Sequence, residues 1–243
     1  MNNSSQKTKD LLNRAVSGNS AAGARLMTMA ENNNRALLKL LKELNMPAAL
    51  VLGITGAGGS GKSTLVNKIV GLLRKKGKRV GVILCDPTSS QSGGAILADR
   101  IQLVDHLPDN HVFIRSMATR ESLGGIPETL PWIIKIMKLM GFDIILVETI
   151  GVGQDQTLIE RMVDLVIVVV GYGYGDDIQL IKSSVLESGD IIVVNQRASW
   201  TGDKAISDLK FLFNNADEKK KILALDAANG KGVDELIEEI MPK

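Results

Sequence analysis

Along most of the chain, short continuous apolar runs alternate with stretches whose apolar positions recur at helical spacing. The runs are Leu50–Thr55, Val80–Cys85, Val112–Arg115, Ile144–Glu148, Leu165–Val170, Ile191–Asn195 and Ile222–Leu225. Helical patterns lie near residues 62–75, 97–107, 127–140, 177–187, 203–213 and 233–241. Apolar runs without polar alternation predict strands buried on both faces. Their alternation with helices predicts an α/β fold with a mostly parallel central sheet covered on both sides. Ligands of such sheets bind beyond the carboxyl ends of the strands. Chemistry is therefore expected in the loops that follow them.

Residues 1–48 read differently. Lys9–Val16 and Ala21–Leu44 carry helical periodicity, and Leu37, Leu40, Leu41 and Leu44 line one face. Asn19 or Ser20 is the expected cap of the second helix, and Pro47 its closure. The expected division is a helical extension over 1–48 and a nucleotide-binding domain over 49–243.

Composition narrows the classes. The 243 residues are 44% hydrophobic and 23% charged, which excludes a disordered or collagenous chain. A net charge of +2 gives no electrostatic footprint for nucleic acid or an anionic membrane, and neither is expected as a partner. One cysteine, Cys85, precludes an internal disulfide and fits a reducing compartment. With only two histidines, a zinc ribbon or His-rich metal site is also excluded. No apolar run reaches the roughly 18 residues of a membrane helix, and the first residues lack an apolar leader. The expectation is a cytoplasmic protein. Glycine, at 24 residues, is over-represented, and most glycines cluster in loops after strands.

The sharpest motif follows the first strand. Gly56-Ala57-Gly58-Gly59-Ser60-Gly61-Lys62-Ser63-Thr64 is G-x-x-x-x-G-K-[ST], with a strand before it and a helix after it. Its glycines let backbone N–H groups curl around phosphate oxygens. Lys62 would neutralise the β- and γ-phosphates, the Ser63 hydroxyl would ligate Mg²⁺, and the helix N-terminus would add partial positive charge. The motif says "nucleoside triphosphate", and the fold expectation sharpens to a P-loop NTPase.

Acidic residues follow two further strands. Asp86 ends the second, before a small polar stretch running to Asp99, and is placed to hold a metal-bound or nucleophilic water. The bland readings are a turn former before Pro87 for Asp86 and a solvated helix face for Asp99. Glu148 ends the fourth strand, where a carboxylate can support Mg²⁺, and Gly151 and Gly153 follow it with Gln154 and Asp155. Gly171-Tyr172-Gly173-Tyr174-Gly175-Asp176-Asp177 reads as a mobile loop with Asp176 as a helix cap. Pro127 is expected near a helix start. Trp132 reads as core, and His106 and His111 as surface. Asn195-Gln196-Arg197-Ala198 closes the sixth strand, and Asp226-Ala227-Ala228-Asn229-Gly230 sits where a second base-contacting loop belongs.

In order and spacing, these strings resemble the MeaB/ArgK/MMAA family of P-loop GTPases. D-P-T-S-S-Q-S-G-G-A-I-L-A-D, S-L-G-G, V-E-T-I-G-V-G-Q and G-Y-G-D-D-I-Q-L-I-K carry the likeness alongside the P-loop. It spans about residues 10–240. The resemblance implies a chaperone of adenosylcobalamin-dependent acyl-CoA mutases that uses GTP/GDP and Mg²⁺. It implies that Asp86, Asp99 and Glu148 hold the metal and organise hydrolysis. The Asp86–Asp99 segment would be switch I and Thr149–Asp155 switch II. A third switch would span Tyr172–Lys182, including Asp176 and Asp177, and pass nucleotide state to the mutase through Lys182.

Three departures accompany the likeness. The family's N-K-x-D is N-Q-R-A here, so the aspartate that accepts two hydrogen bonds from guanine is replaced by Ala198. Weak GTP binding, acceptance of ATP/ADP, and reading of the base through the backbone all stay open. The sequence ends at Lys243, where family members carry a dimerising helical arm, so a homodimer would have a different geometry. Switch II continues Gln154-Asp155-Gln156 in place of Q-S-E. Two other readings share the scaffold: a nucleotide-dependent binding module that hydrolyses poorly, and a small-molecule kinase, for which no acceptor pocket is visible.

Overall fold

A computed structural model describes residues 3–86, 103, 106, 108–119, 125–149, 157–171, 189–196, 207 and 220–241. Seven strands form one sheet: β1 (Leu50–Thr55), β2 (Val80–Asp86), β3 (Val112–Ala118), β4 (Ile144–Glu148), β5 (Leu165–Gly171), β6 (Ile191–Asn195) and β7 (Lys221–Leu225). Their order is β3-β2-β4-β1-β5-β6-β7, and every pairing is parallel. Each apolar run is therefore a strand, as its pattern predicts. β3 extends three residues beyond the predicted Arg115 because its pairing continues to Asp86↔Ala118.

Alternate residues of each strand feed two cores. Val51, Ile83, Cys85, Ile145 and Val147 join one. Leu52, Ile54, Val82, Leu84 and Leu146 join the other. The second core is covered by α4 (Lys62–Lys75) and α7 (Val233–Ile240). The first is covered by α5 (Leu130–Leu139) and by α1 (Asn3–Val16), α2 (Ser20–Glu31) and α3 (Arg35–Glu43). A short α6 (Thr157–Glu160) precedes β5. Among the described residues, no helix is long and apolar enough to cross a membrane.

Three boundaries depart from the sequence expectation. The periodic stretch Ala21–Leu44 is two helices. Asn33 takes a left-handed φ of 53°, which ends α2. The Asn34 side chain then accepts from Leu37 N at 3.0 Å and opens α3. α3 ends at Glu43, short of Pro47. α5 starts at Leu130 with Pro131 in its first turn, where a missing N–H costs nothing. Pro127 lies one turn earlier and only accepts from Leu130 N. Trp132 is half-buried, with Lys42 and Lys135 over its ring at 6.0 and 5.1 Å. Asn19 is the cap of α2, accepting from Ala22 N at 2.8 Å. The helical patterns near 177–187, 203–213 and most of 97–107 lie outside the described residues.

Candidate functional site

Because all seven strands are parallel, their carboxyl ends share one edge of the sheet. The loop between β1 and α4 crosses that edge at its centre, between β4 and β5. Gly56 has φ +142°, and a Cβ there would lie 2.1 Å from Val169 O. Gly59 and Gly61 have φ +77° and +93°. These three positions need glycine, the first because β5 passes so close. A Cβ on Gly171, at the end of β5, would meet Ser60 Cα at 2.9 Å. Gly171 therefore seats the phosphate loop against β5, a packing role hidden within a loop that reads as merely mobile.

Lys62 is buried at the start of α4, and its Nζ donates to Gly56 O and Ala57 O, both at 2.9 Å. The lysine thus folds back over its own loop. Ser60 Oγ is buried and makes no hydrogen bond with the described residues. Ser63 Oγ donates to Glu148 Oε1 at 2.6 Å, joining α4 to the end of β4. Thr64 follows on the first turn of α4. Gly58 has open space where a Cβ would stand.

The two strand-end acids converge. Leu84 is in register with Glu148, so Asp86, two residues further along β2, points to the same face of the sheet. That face carries Leu84 and α4. Asp86 is 1% exposed and Glu148 4%. Between Leu84 and Asp86, Cys85 points to the opposite face. Burial, and then the Asp86 and Glu148 carboxylates, push its thiol up to about 12. It is an inert core residue. Thr55 and Thr149 share a buried hydroxyl hydrogen bond of 3.0 Å that ties β1 to the residue after Glu148. No local sequence signal marks that pair, because it depends on which strands are neighbours.

Among the described residues no group of three His, Cys, Asp or Glu side chains could hold a metal ion. The oxygens present suit a hard cation that needs few protein ligands. Mg²⁺ commonly uses one or two carboxylates together with substrate phosphates. A hydroxyl in contact with a buried carboxylate, beside a second carboxylate, is that donor set. The glycine cradle and the buried Ser60 hydroxyl suit phosphate oxygens.

At the other end of the loop, Asn195 Nδ2 donates to Ser60 O at 2.8 Å, and its Oδ1 accepts from Ala227 N at 3.0 Å. Asn195 is thus a clamp between the phosphate loop and the turn after β7. Gln196 N donates to Leu225 O at 2.7 Å. Asp226 opens the turn. Its carboxyl is held below the usual range by bonds from the Asn229 backbone and side chain. Lys62, Ser63, Asp86 and Glu148 are therefore brought together, with Asn195, Gln196, Asp226 and Ala227 along the same edge. Asp99, Gly151, Gly153, Gln154, Asp176, Asp177 and Lys182 lie outside the described residues.

Residues 23–242 match the family model described as methylmalonyl Co-A mutase-associated GTPase MeaB. A Pyrococcus horikoshii relative is 40% identical over 97% of this chain and 77% of its own. The Escherichia coli protein named GTPase ArgK is 34% identical over 93% of this chain and 72% of its own. Among solved structures, a LAO/AO transport system kinase matches 99% of this chain and 75% of its own, with TM-score 0.72 at 24% identity. The hydrogenase maturation factor HypB of Archaeoglobus fulgidus matches 90% of this chain and 97% of its own, with TM-score 0.59 at 22% identity. Those two likenesses concern the fold.

Proposed function

The chain belongs to the family of methylmalonyl-CoA mutase-associated P-loop GTPases, and from that premise we propose that it is a Mg²⁺-dependent nucleoside triphosphatase serving an adenosylcobalamin-dependent mutase. Its role would be that of a chaperone, a reactivase or a gate for cofactor loading. The observation that carries the nucleotide part is the 2.6 Å contact of Ser63 Oγ with Glu148 Oε1 beside buried Asp86. The mutase part rests on family membership.

The chain's own groups divide the work. The amides of the Gly56–Gly61 loop and the α4 N-terminus hold the phosphate oxygens. Lys62 leaves the Gly56 and Ala57 carbonyls and neutralises charge building on the β- and γ-phosphates. Ser63 and Glu148 would hold Mg²⁺, which would supply charge neutralisation at the β- and γ-phosphates. Asp86 orients a water, either on the metal or in line with the γ-phosphorus. Asp99 is proposed as a further metal-side carboxylate. Gly151, Gly153 and Gln154, with Asp176, Asp177 and Lys182, are proposed as the segments that report nucleotide state to the partner.

Lys62→Ala is expected to lower single-turnover hydrolysis by about 10²–10³-fold, the range for removing one preorganised stabiliser of transition-state charge. Turnover equal to that of the unmodified chain would remove this site assignment. The partner reading is tested by turnover with and without a purified adenosylcobalamin-dependent mutase. Acceleration and co-elution are expected, and an unaltered rate without complex formation would reject it.

A further inference from the structure

Away from the phosphate loop, α1 and α2 line an open groove of 520 Å³. Both helices cover the first core, whereas α4 covers the second, so the groove is separate from the phosphate loop. Leu12 and Ala15 of α1, with Ala22 and Leu26 of α2, turn into the core. Beside them Leu11 and Met29 are half-buried at the core's margin and form the groove's apolar wall, next to buried Thr8.

The rest of the lining is charged. Lys7 and Arg14 flank Leu11 at helical spacing on α1, and Arg25 stands one turn before Met29 on α2. All three cations are exposed, and among the described residues none of them makes an ion pair. The acids of these two helices are engaged. Asp10, the one carboxylate in the lining, accepts from Gln6 Nε2 at 3.1 Å. Glu31 is held by Arg115 of β3, through Nε at 2.9 Å and Nη2 at 2.8 Å. Residues 1–5 carry no carboxylate side chain that could neutralise the groove. Residues 1–48 contain seven Lys and Arg against three Asp and Glu, so the chain's small positive charge is concentrated here.

The volume falls within the roughly 300–1,000 Å³ of small-molecule sites, whose usual lining is an apolar wall with a few converging polar groups. Two guanidinium forks suit the paired oxygens of a phosphate or carboxylate. Leu11 and Met29 suit a short hydrocarbon segment beside them. We propose that the α1–α2 groove binds a small organic anion that carries two or more negative charges and a short apolar segment, of the phosphomonoester type.

The test is titration of the full chain with hexyl phosphate, followed by two-dimensional amide NMR, which reads this groove and the phosphate loop separately. Saturable shifts of the amides in 7–14 and 25–29 are expected, with a dissociation constant of about 1 mM or below. Arg14→Gln/Arg25→Gln is expected to weaken that binding at least about tenfold, the loss that follows removal of charge-assisted bonds. The Gly56–Lys62 amides should respond equally in both chains. Shifts confined to Gly56–Lys62, or groove binding indifferent to the two arginines in a folded variant, would overturn the proposal. Inorganic phosphate is expected to bind the groove about tenfold more weakly, the worth of burying two methylene groups. Equal affinity would overturn the apolar half of the ligand. Vesicles of phosphatidylcholine and phosphatidic acid distinguish a free ligand from a lipid headgroup. The chain is expected to stay in solution, and sedimentation that depends on Arg14 and Arg25 would overturn the small-molecule reading.

Discussion

At the scale of single residues, Gly61 and Asn195 act as one device. Gly61 has φ +93°, and a Cβ there would lie 2.1 Å from Asn195 Nδ2, the atom that bonds Ser60 O. An alanine at 61 would meet two penalties. Its backbone would be strained by roughly 1–3 kcal/mol, and its methyl would displace the amide that closes the loop. Gly61→Ala is expected to weaken nucleotide binding by more than tenfold and to lower thermal stability. Asn195→Ala removes the clamp without the strain and is expected to weaken binding with a smaller change in melting temperature. Equal affinity in both variants would show that the clamp does not shape the phosphate loop. The P-loop itself was legible residue by residue, since its spacing is the mechanism. The partners of Asn195 were not, because they come from the loops after β1 and β7, 135 and 32 residues away.

At the scale of elements, one ion pair ties the end of α4 to the turn before β3, in addition to their apolar packing. Arg74, in the last turn of α4, donates through Nε to Asp109 Oδ2 at 2.7 Å, and also bonds Lys78 O. The Arg74 bond, then the backbone N–H of His111, hold Asp109 down at about 2, against an ordinary 3.8. A lowered carboxylate stabilises the fold fully above its unfolded value and loses that contribution as pH falls through the folded one. This pair should therefore weaken between about pH 4 and pH 2. Asp109 is 34% exposed, and solvent screening keeps its contribution to about 0.5 kcal/mol. In acid titrations followed by circular dichroism, Asp109→Asn should be slightly less stable at pH 6 and equal to the unmodified chain near pH 2. A difference that grows on acidification would contradict the assignment. Arg74 itself stands in a stretch rich in basic residues, Arg74–Arg79. Element types were legible where apolar runs were continuous, as in β1, β4 and β5. The break between α2 and α3 was hidden because periodicity carries across it. Its signal is the run Asn32-Asn33-Asn34, where one asparagine takes positive φ and the next caps.

At the scale of the molecule, residues 1–48 are proposed as an extension of a 49–243 nucleotide-binding domain, yet the packing makes them part of its core. Leu12, Leu26, Met27, Leu37 and Leu41 are almost fully buried in the same cluster as Ile133, Met137 and Met140 of the α5 region and Ile145 and Val147 of β4. α2 approaches so closely that a Cβ on Gly23 would lie 2.4 Å from Met140 Sδ. Arg115 on the edge strand β3 adds a bond to Glu31 of α2, with Nη2–Oε1 at 2.8 Å. Burying a large apolar side chain stabilises by about 1.5–3 kcal/mol. The five large residues together therefore amount to on the order of 10 kcal/mol, before entropy is subtracted. That is comparable with the whole stability of a typical domain, about 5–15 kcal/mol. A chain of residues 49–243 would also present the outer face of α5 to water as a contiguous apolar patch. It is expected to aggregate or to bind a hydrophobic dye at temperatures where the full chain is folded. The P-loop would be affected only indirectly, since α4 and α7 lie on the opposite face of the sheet. If the shortened chain instead stayed monomeric with an unchanged melting temperature, the helices would be an independent appendage, and the cluster they share with α5 would contribute nothing to folding.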